Sequence, residues 1–131
     1  MVIDSSAVIA ILLGEPERET FLDAIVAAPN RFMSALSVIE IGIVAHTRLG
    51  ARGFEQALAI LDAFTVDIVP VTRRHAEIAL EAHQRFGKGR HPARLNMGDC
   101  CSYALAQDLG QPLLFKGDDF TRTDVALALP L

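Results

Sequence analysis

The chain has 131 residues, 51% of them hydrophobic, and a formal charge of −4 from sixteen acidic side chains against twelve Lys and Arg. That length gives one domain, residues 1–131, with room for a core. The hydrophobic content, with a mean hydropathy of +0.33, excludes a disordered chain, and the acidic balance excludes a coat protein that binds nucleic acid through general basicity. No apolar run reaches the ~18 residues of a membrane helix, and no basic stretch precedes the apolar run after Ser6, so neither a membrane span nor a signal peptide is expected. The cytoplasm is the expected location. Cys100 and Cys101 are adjacent, cannot bridge each other in ordinary geometry and lack zinc spacing, so both read as small apolar helix residues.

The predicted elements alternate. Met1, Val2 and Ile3 form a short buried strand. Asp4 interrupts the run; Ser5 and Ser6 supply N-cap chemistry for the apolar helix that follows, Ala7 to Leu13. Gly14-Glu15-Pro16 breaks the pattern, and Glu17 to Ala28 reads as an amphipathic helix. Arg31 to Met33 is a short strand, after which Ser34 or Ser37 caps a helix through Val38 to about Leu49. Gly50 and Gly53 separate it from a helix over Phe54 to Phe64. Val66 to Val71 alternates as a strand, with Pro70 marking an end or an edge. Thr72 caps a helix from Arg73 to Phe86; a polar loop, Gly87 to Asn96, leads to a helix from Gly98 to Leu109, stopped by Gly110. Pro112 to Phe115 is a further strand, and Val125 to Leu131 a last β-like run. This order predicts an α/β fold: a short, mostly parallel central sheet flanked by helices.

The acids fall at telling places in that order. Asp4 and the pair Asp118/Asp119 follow short apolar strands, while Glu40 and Asp99 lie near the starts of helices. In a parallel sheet those points gather at the carboxyl edge of the strands. Each has a plainer explanation taken singly. Glu40 shares a helix face with Leu36, Ile43, Val44 and Thr47 and could snorkel to water; Asp99 could serve a helix start; Gly117-Asp118-Asp119 is turn chemistry. Taken together, three or four converging carboxylates repel unless a divalent cation neutralises them. Oxygen ligands without His or Cys favour Mg²⁺ or Mn²⁺, and such a cluster suits phosphodiester hydrolysis.

The stretches VIDSSAVIAILLGEPE, SALSVIEIGIV, FGKGRHPARLNMGDCCSYALA and LLFKGDDFTRTDV resemble PIN-domain ribonucleases, and most closely the VapC toxins of type II toxin–antitoxin pairs, over essentially the whole chain. The run from Gly87 to Ala104 is the most specific part. The resemblance implies a PIN-like fold and a Mg²⁺- or Mn²⁺-dependent endoribonuclease held silent by a VapB-type antitoxin. It implies Asp4, Glu40 and Asp99 as the central acids and Asp118 or Asp119 as the fourth. Ser5 stands where the family commonly has Thr, and Met97 where an aromatic is frequent; neither touches the acids.

A basic segment precedes Asp99. Arg85-Phe-Gly-Lys-Gly-Arg-His-Pro-Ala-Arg94 holds Lys88, Arg90 and His91, and its glycines allow close approach of a ligand. These residues, with Lys116 and the hydroxyl of Ser5, are the candidate contacts to an RNA substrate. His46, His75 and His83 are expected to face solvent, and Tyr103 to pack in the core. Two other acid-cluster enzymes fit less well: a receiver domain needs adjacent acids after the first strand, and a dehalogenase-type phosphatase needs a carboxylate where Ser6 stands. The alternative that survives is a catalytically inactive PIN-fold module binding RNA or protein. Segments such as Ala57-Leu58-Ala59-Ile60-Leu61 offer more apolar surface than a small sheet covers, which predicts a homodimer and a groove for the antitoxin.

Overall fold

The computed structural model of the chain describes residues 1–130. Strand β1 (Val2–Ile3) leads to α1 (Ser5–Leu12) and α2 (Arg18–Ala27), and β2 (Phe32–Ser34) to α3 (Ala35–Leu49) and α4 (Gly53–Ala63). Then β3 (Asp67–Val69) leads to α5 (Arg73–Phe86) and α6 (Met97–Leu109), and β4 (Leu113–Leu114) to a 3₁₀ turn, Asp119–Arg122. The sheet order is β3-β2-β1-β4 and every pairing is parallel. Val2 faces Leu113 and Ile3 faces Leu114 in the register. Val66–Val71 was expected as an end or edge strand because of Pro70, and β3 does lie at the edge.

Strand side chains alternate between two cores, as the period of two requires. Ile3, Met33 and Leu114 pack with Val8, Ile11, Phe21, Ile25, Ile41 and Leu61 of α1 to α4. Val2 and Leu113 pack with Phe86, Leu95, Tyr103 and Leu105 on the α5–α6 side. Helices therefore cover both faces, and strands β1 and β4, buried on both sides, are purely apolar, whereas β3 opens with the exposed Asp67.

The chain steps from β1 outward to β2 and β3, then returns past β1 to β4. The order thus reverses between β1 and β4, the place where a parallel sheet opens a crevice at its carboxyl end. Asp4 follows β1, Lys116 to Asp119 follow β4, and α6 begins beside them.

Several boundaries differ from the expectation. Asp4, rather than Ser5 or Ser6, is the N-cap of α1: its side chain accepts from the Ser6 amide, and Ser5 is already helical. Between the two serines offered as caps for α3, the structure chooses Ser34, so β2 runs into the helix without a loop. Gly53, read as a separator, is the first residue of α4, and a Cβ there would sit 2.3 Å from the Ala45 carbonyl oxygen of α3. The tail forms a single bridge, Leu127 to Leu113, rather than a strand; the last residue of the run expected there lies outside the described residues. Ala57 and Leu61 of α4, placed on a dimer surface from the sequence, are buried in the core. Leu58 and Ala59 of the same segment are exposed, and further exposed apolar side chains include Ile39 and Ile43 of α3 and Leu80 and Met97 beside the α5–α6 pair.

His75 overturns the solvent-facing expectation. It is 5% exposed; its Nδ1 accepts from the Thr72 amide at 3.3 Å within a capping box, and its Nε2 lies 2.9 Å from Asp108. Because Nδ1 accepts, the proton sits on Nε2 and is donated to Asp108. Helical periodicity gave no warning of this, since the partner comes from α6.

Candidate active site

The crevice is built from helix starts. Asp4 caps α1, Asp99 is the third residue of α6, and Glu40 stands in the second turn of α3. Each helix presents its positive dipole end, which favours negative charge there. Asp99 exchanges bonds with Asn96 in a capping box: the Asn96 amide donates to Asp99 Oδ2 and the Asp99 amide to Asn96 Oδ1, both at 2.9 Å. The structural role weighed for Asp99 is therefore real. It leaves the other carboxylate oxygen for a ligand.

Asp4 is the most enclosed of the acids, 3% exposed. Its Oδ1 accepts from Ser102 Oγ at 2.6 Å, and its Oδ2 accepts from Ser6 Oγ at 2.6 Å and the Ser6 amide at 3.0 Å. Glu40 stands between the buried stripe of α3, which runs Ser37, Ile41, Ala45, and its i+3 neighbour Ile43, which is exposed. Ser5 Oγ donates to Glu40 Oε1 at 3.3 Å. The far side of the Glu40 carboxylate presses on α6: a Cβ at Gly98 would sit 2.1 Å from Oε2. Only a residue without a side chain lets Glu40 lie against the turn that carries Asp99.

Electrostatics tie the acids together. Burial, and then the charges of Asp4 and Asp99, push Glu40 up to about 7, against the opposing bond from Ser5. Burial also pushes Asp99 up to about 6; the Asn96 amide opposes this, and the charges of Asp4 and Asp119 add to it. Four acids from four parts of the chain thus share one field. Both members of the adjacent pair are exposed, but Asp119 is the one whose charge acts on Asp99; Asp118 precedes the 3₁₀ turn, its carbonyl accepting from Thr121.

Raised carboxyl pKa values mean that the site resists its own full ionisation, and a cation relieves that. The donor set is all oxygen, which fits a hard divalent ion. Among the described residues no three Asp, Glu, His or Cys side chains form a ready-made metal cage. A small hard cation is commonly held by one or two carboxylates and keeps several waters, so the set fits such an ion without a cage.

The other predicted residues divide. Lys116 is committed: its ammonium pairs with Glu15 and, at 3.3 Å, with Glu17, while its amide donates to Ser6 Oγ at 3.0 Å. His91 is part of the loop's scaffolding, with Nδ1 accepting from the Ala93 amide at 3.1 Å and its ring edge-on to Phe86. Arg85 pairs with Asp124 at 2.8 Å. Lys88 and Arg90 are exposed and make no ion pair among the described residues. Their loop is pinned at both ends, by Lys88 donating to the Leu95 carbonyl and Leu95 to the Phe86 carbonyl, each at 3.0 Å. Sequence reasoning passed over Ser102, offered Ser37 only as a helix cap, and did not place Ser6 among the site residues. A signal existed: Ser102 stands one turn after Asp99, and Ser37 one turn before Glu40, in otherwise apolar surroundings.

Comparison with known proteins adds an independent line. Residues 1–126 match the family model described as PIN domain. The chain is 47% identical over 131 residues to Ribonuclease VapC30 of Mycobacterium tuberculosis, covering 99% of this chain and all of that protein. It is 48% identical over 126 residues to Ribonuclease VapC of Mycolicibacterium smegmatis, covering 96% and 98%. Among solved structures it is similar to Mycobacterium tuberculosis VapC20, described as a sarcin–ricin loop cleaving toxin, with a TM-score of 0.78, 22% identity and 95% of both chains covered. A toxin–antitoxin complex from Klebsiella pneumoniae gives a TM-score of 0.71 at 19% identity, over 99% of this chain and 98% of that one. At those identities the solved structures speak for the fold alone.

Proposed function

Because the chain belongs to the PIN domain family, with full-length similarity to ribonucleases named VapC, we propose that it is the toxin of a toxin–antitoxin pair, an endoribonuclease that hydrolyses RNA phosphodiester bonds at the crevice around Asp4. The observation that carries this reading is the convergence of Asp4, Glu40 and Asp99 at one crevice, where burial and then the charges of Asp4 and Asp99 push Glu40 up to about 7, and where Asp119 acts on Asp99. Those four residues would hold the divalent ion, Mg²⁺ or Mn²⁺, with Asp119 rather than Asp118 as the fourth acid. Such an ion, when bound, supplies Lewis-acid polarisation of the phosphate and activation of water.

The chain's own residues do the rest. Asp4, held by Ser6 and Ser102, offers fixed oxygens at the floor of the crevice. Glu40 holds a proton in part of the molecules near neutrality and releases it when positive charge arrives. Ser5 keeps the Glu40 carboxylate turned toward α1. Of the predicted lysine and arginine contacts to RNA, Lys88 and Arg90 are the ones without an ion pair among the described residues, and they would meet the RNA backbone.

A VapB-type antitoxin silences the site by placing a basic side chain, an arginine, among these acids; a complex with no cation near Asp4 would count against that. The exposed apolar side chains of α3 and of the α5–α6 pair seat a second copy and the antitoxin, with sedimentation at micromolar concentration as the check, a monomer overturning the dimer. Cleavage of RNA with Mn²⁺ tests the central claim. Asp4→Asn and Asp99→Asn should each lose at least ~100-fold in rate, the scale of removing one charge-stabilising group at a reacting centre, with unchanged circular dichroism. Wild-type protein that binds RNA but never cuts it would favour the binding module instead.

A further inference from the structure

The environment of Asp4 extends two residues deeper than the crevice needs for packing alone. Ser102 of α6 and Ser37 of α3 are both fully buried. Their hydroxyls lie 3.2 Å apart, and Ser102 Oγ lies 2.6 Å from Asp4 Oδ1. Each hydroxyl has one proton. The carboxylate can only accept, so the Ser102 proton goes to Asp4; Ser102 must then accept from Ser37. The direction of the chain is fixed: Ser37 to Ser102 to Asp4.

On the other carboxylate oxygen the same logic holds. Ser6 Oγ gives its proton to Asp4 Oδ2 and accepts from the Lys116 amide at 3.0 Å. Donors from α1 and α6 thus meet on one carboxylate, each backed in turn by a donor from α3 or from the segment after β4, in a dry setting where linked hydrogen bonds polarise one another. A buried serine pair inside two packed helices costs desolvation. An alanine pair of nearly the same volume would fill the space without that cost.

We infer that Ser102, backed by Ser37, is a positioning residue that fixes the orientation of the Asp4 carboxylate toward the divalent ion and thereby sets the affinity of the site for it. The inference rests on the metal-dependent reading above. Outer partners that orient a ligand typically change metal affinity roughly 10- to 100-fold when removed. Ser37 acts only through Ser102, so its removal has a smaller effect.

The test is Mn²⁺ binding to the full chain without RNA, followed by electron paramagnetic resonance of the free ion, with thermal melting in parallel. Ser102→Ala should weaken Mn²⁺ binding about ten-fold or more, and in cleavage assays raise the Mn²⁺ concentration needed for half-maximal rate more than it lowers the saturated rate. Ser37→Ala should weaken binding less, and in the Ser102→Ala background should change it no further. That lack of additivity is what a merely structural serine pair would not produce. Unchanged Mn²⁺ affinity in both single variants, with only the melting temperature altered, overturns the inference while leaving the nuclease reading intact. If Ser102→Ala does not fold, Ser37→Ala with wild-type affinity overturns it alone. Wild-type protein that takes up no Mn²⁺ overturns the metal reading and this inference together.

Discussion

At the scale of single residues, the acids at the crevice trade stability for charge. Glu40 at about 7 and Asp99 at about 6 both lie above their ordinary values, so between about pH 4 and 7 the folded protein binds more protons than the unfolded chain. Without divalent ion, stability is therefore expected to fall as pH rises through that window and to level off above it. A divalent ion favours the ionised forms, so Mn²⁺ should raise the melting temperature more at pH 8 than at pH 5. Glu40→Gln should flatten the slope. Melting curves at the two pH values with and without Mn²⁺ decide this, and stability rising steadily from pH 4 to 7 in the ion-free protein would contradict it.

Gly98 gives the sharpest single-residue prediction. The atom its Cβ would meet belongs to the end of the flexible Glu40 side chain, which can swing away. Alanine is also the better helix former, by roughly 0.5–1 kcal/mol. Gly98→Ala should therefore melt close to the wild-type temperature yet lose at least ~10-fold in cleavage, since a misplaced group at a reacting centre is costly. Activity and stability falling together would mean that the helix, rather than Glu40, had moved.

Among the elements, two helix ends depend on one arginine. Arg31, just before β2, donates from Nε to the Ile25 carbonyl at 2.6 Å, from Nη2 to the Val26 carbonyl at 3.1 Å, and from Nη1 to the Phe64 carbonyl at 3.1 Å. It thus satisfies carbonyls in the last turn of α2 and at the end of α4, where a cation also suits the dipole. Arg31→Ala should cost about 1.5–3 kcal/mol in denaturant unfolding, the range for hydrogen bonds to a charged group, while leaving Mn²⁺ affinity unchanged. Arg31→Lys should not restore it, because an ammonium lacks the planar fork. From the sequence Arg31 was only the first residue of a strand; its partners lie 5 to 33 positions away, and no local pattern announces them.

For the whole molecule, the net charge of −4 is distributed in a way that matters. Four of the sixteen acids share the crevice, and the loop ahead of α6 keeps Lys88 and Arg90 exposed and without an ion pair among the described residues. Replacing either by alanine should weaken RNA binding about equally for all sequences and reduce the salt slope of log K by roughly 0.7 per lost phosphate contact on single-stranded RNA. Titrations of RNA into the Asp4→Asn protein at several salt concentrations measure that without cleavage. Lys116→Ala should alter the slope little, since its charge is already paired with Glu15 and Glu17.

The sequence by itself determined the strand–helix alternation and the parallel sheet, and it pointed to the acids at the strand ends and helix starts, with the fourth left between Asp118 and Asp119. These follow from local signals: apolar runs too short for helices, caps, turn residues and the chemistry of the ligand types. Only the tertiary structure decided what each polar side chain answers to. It made Asp4 a helix cap, chose Asp119 over Asp118 as the neighbour of Asp99, paired Lys116 with two glutamates, buried His75 against Asp108 and lined up Ser37 and Ser102 behind Asp4. Apart from the Asp4 cap, which is local, those contacts join residues 20 or more positions apart in the chain. Periodicity and capping act over a few residues, whereas Coulomb and hydrogen-bond partners are set by distance in space, which a single chain of letters does not encode.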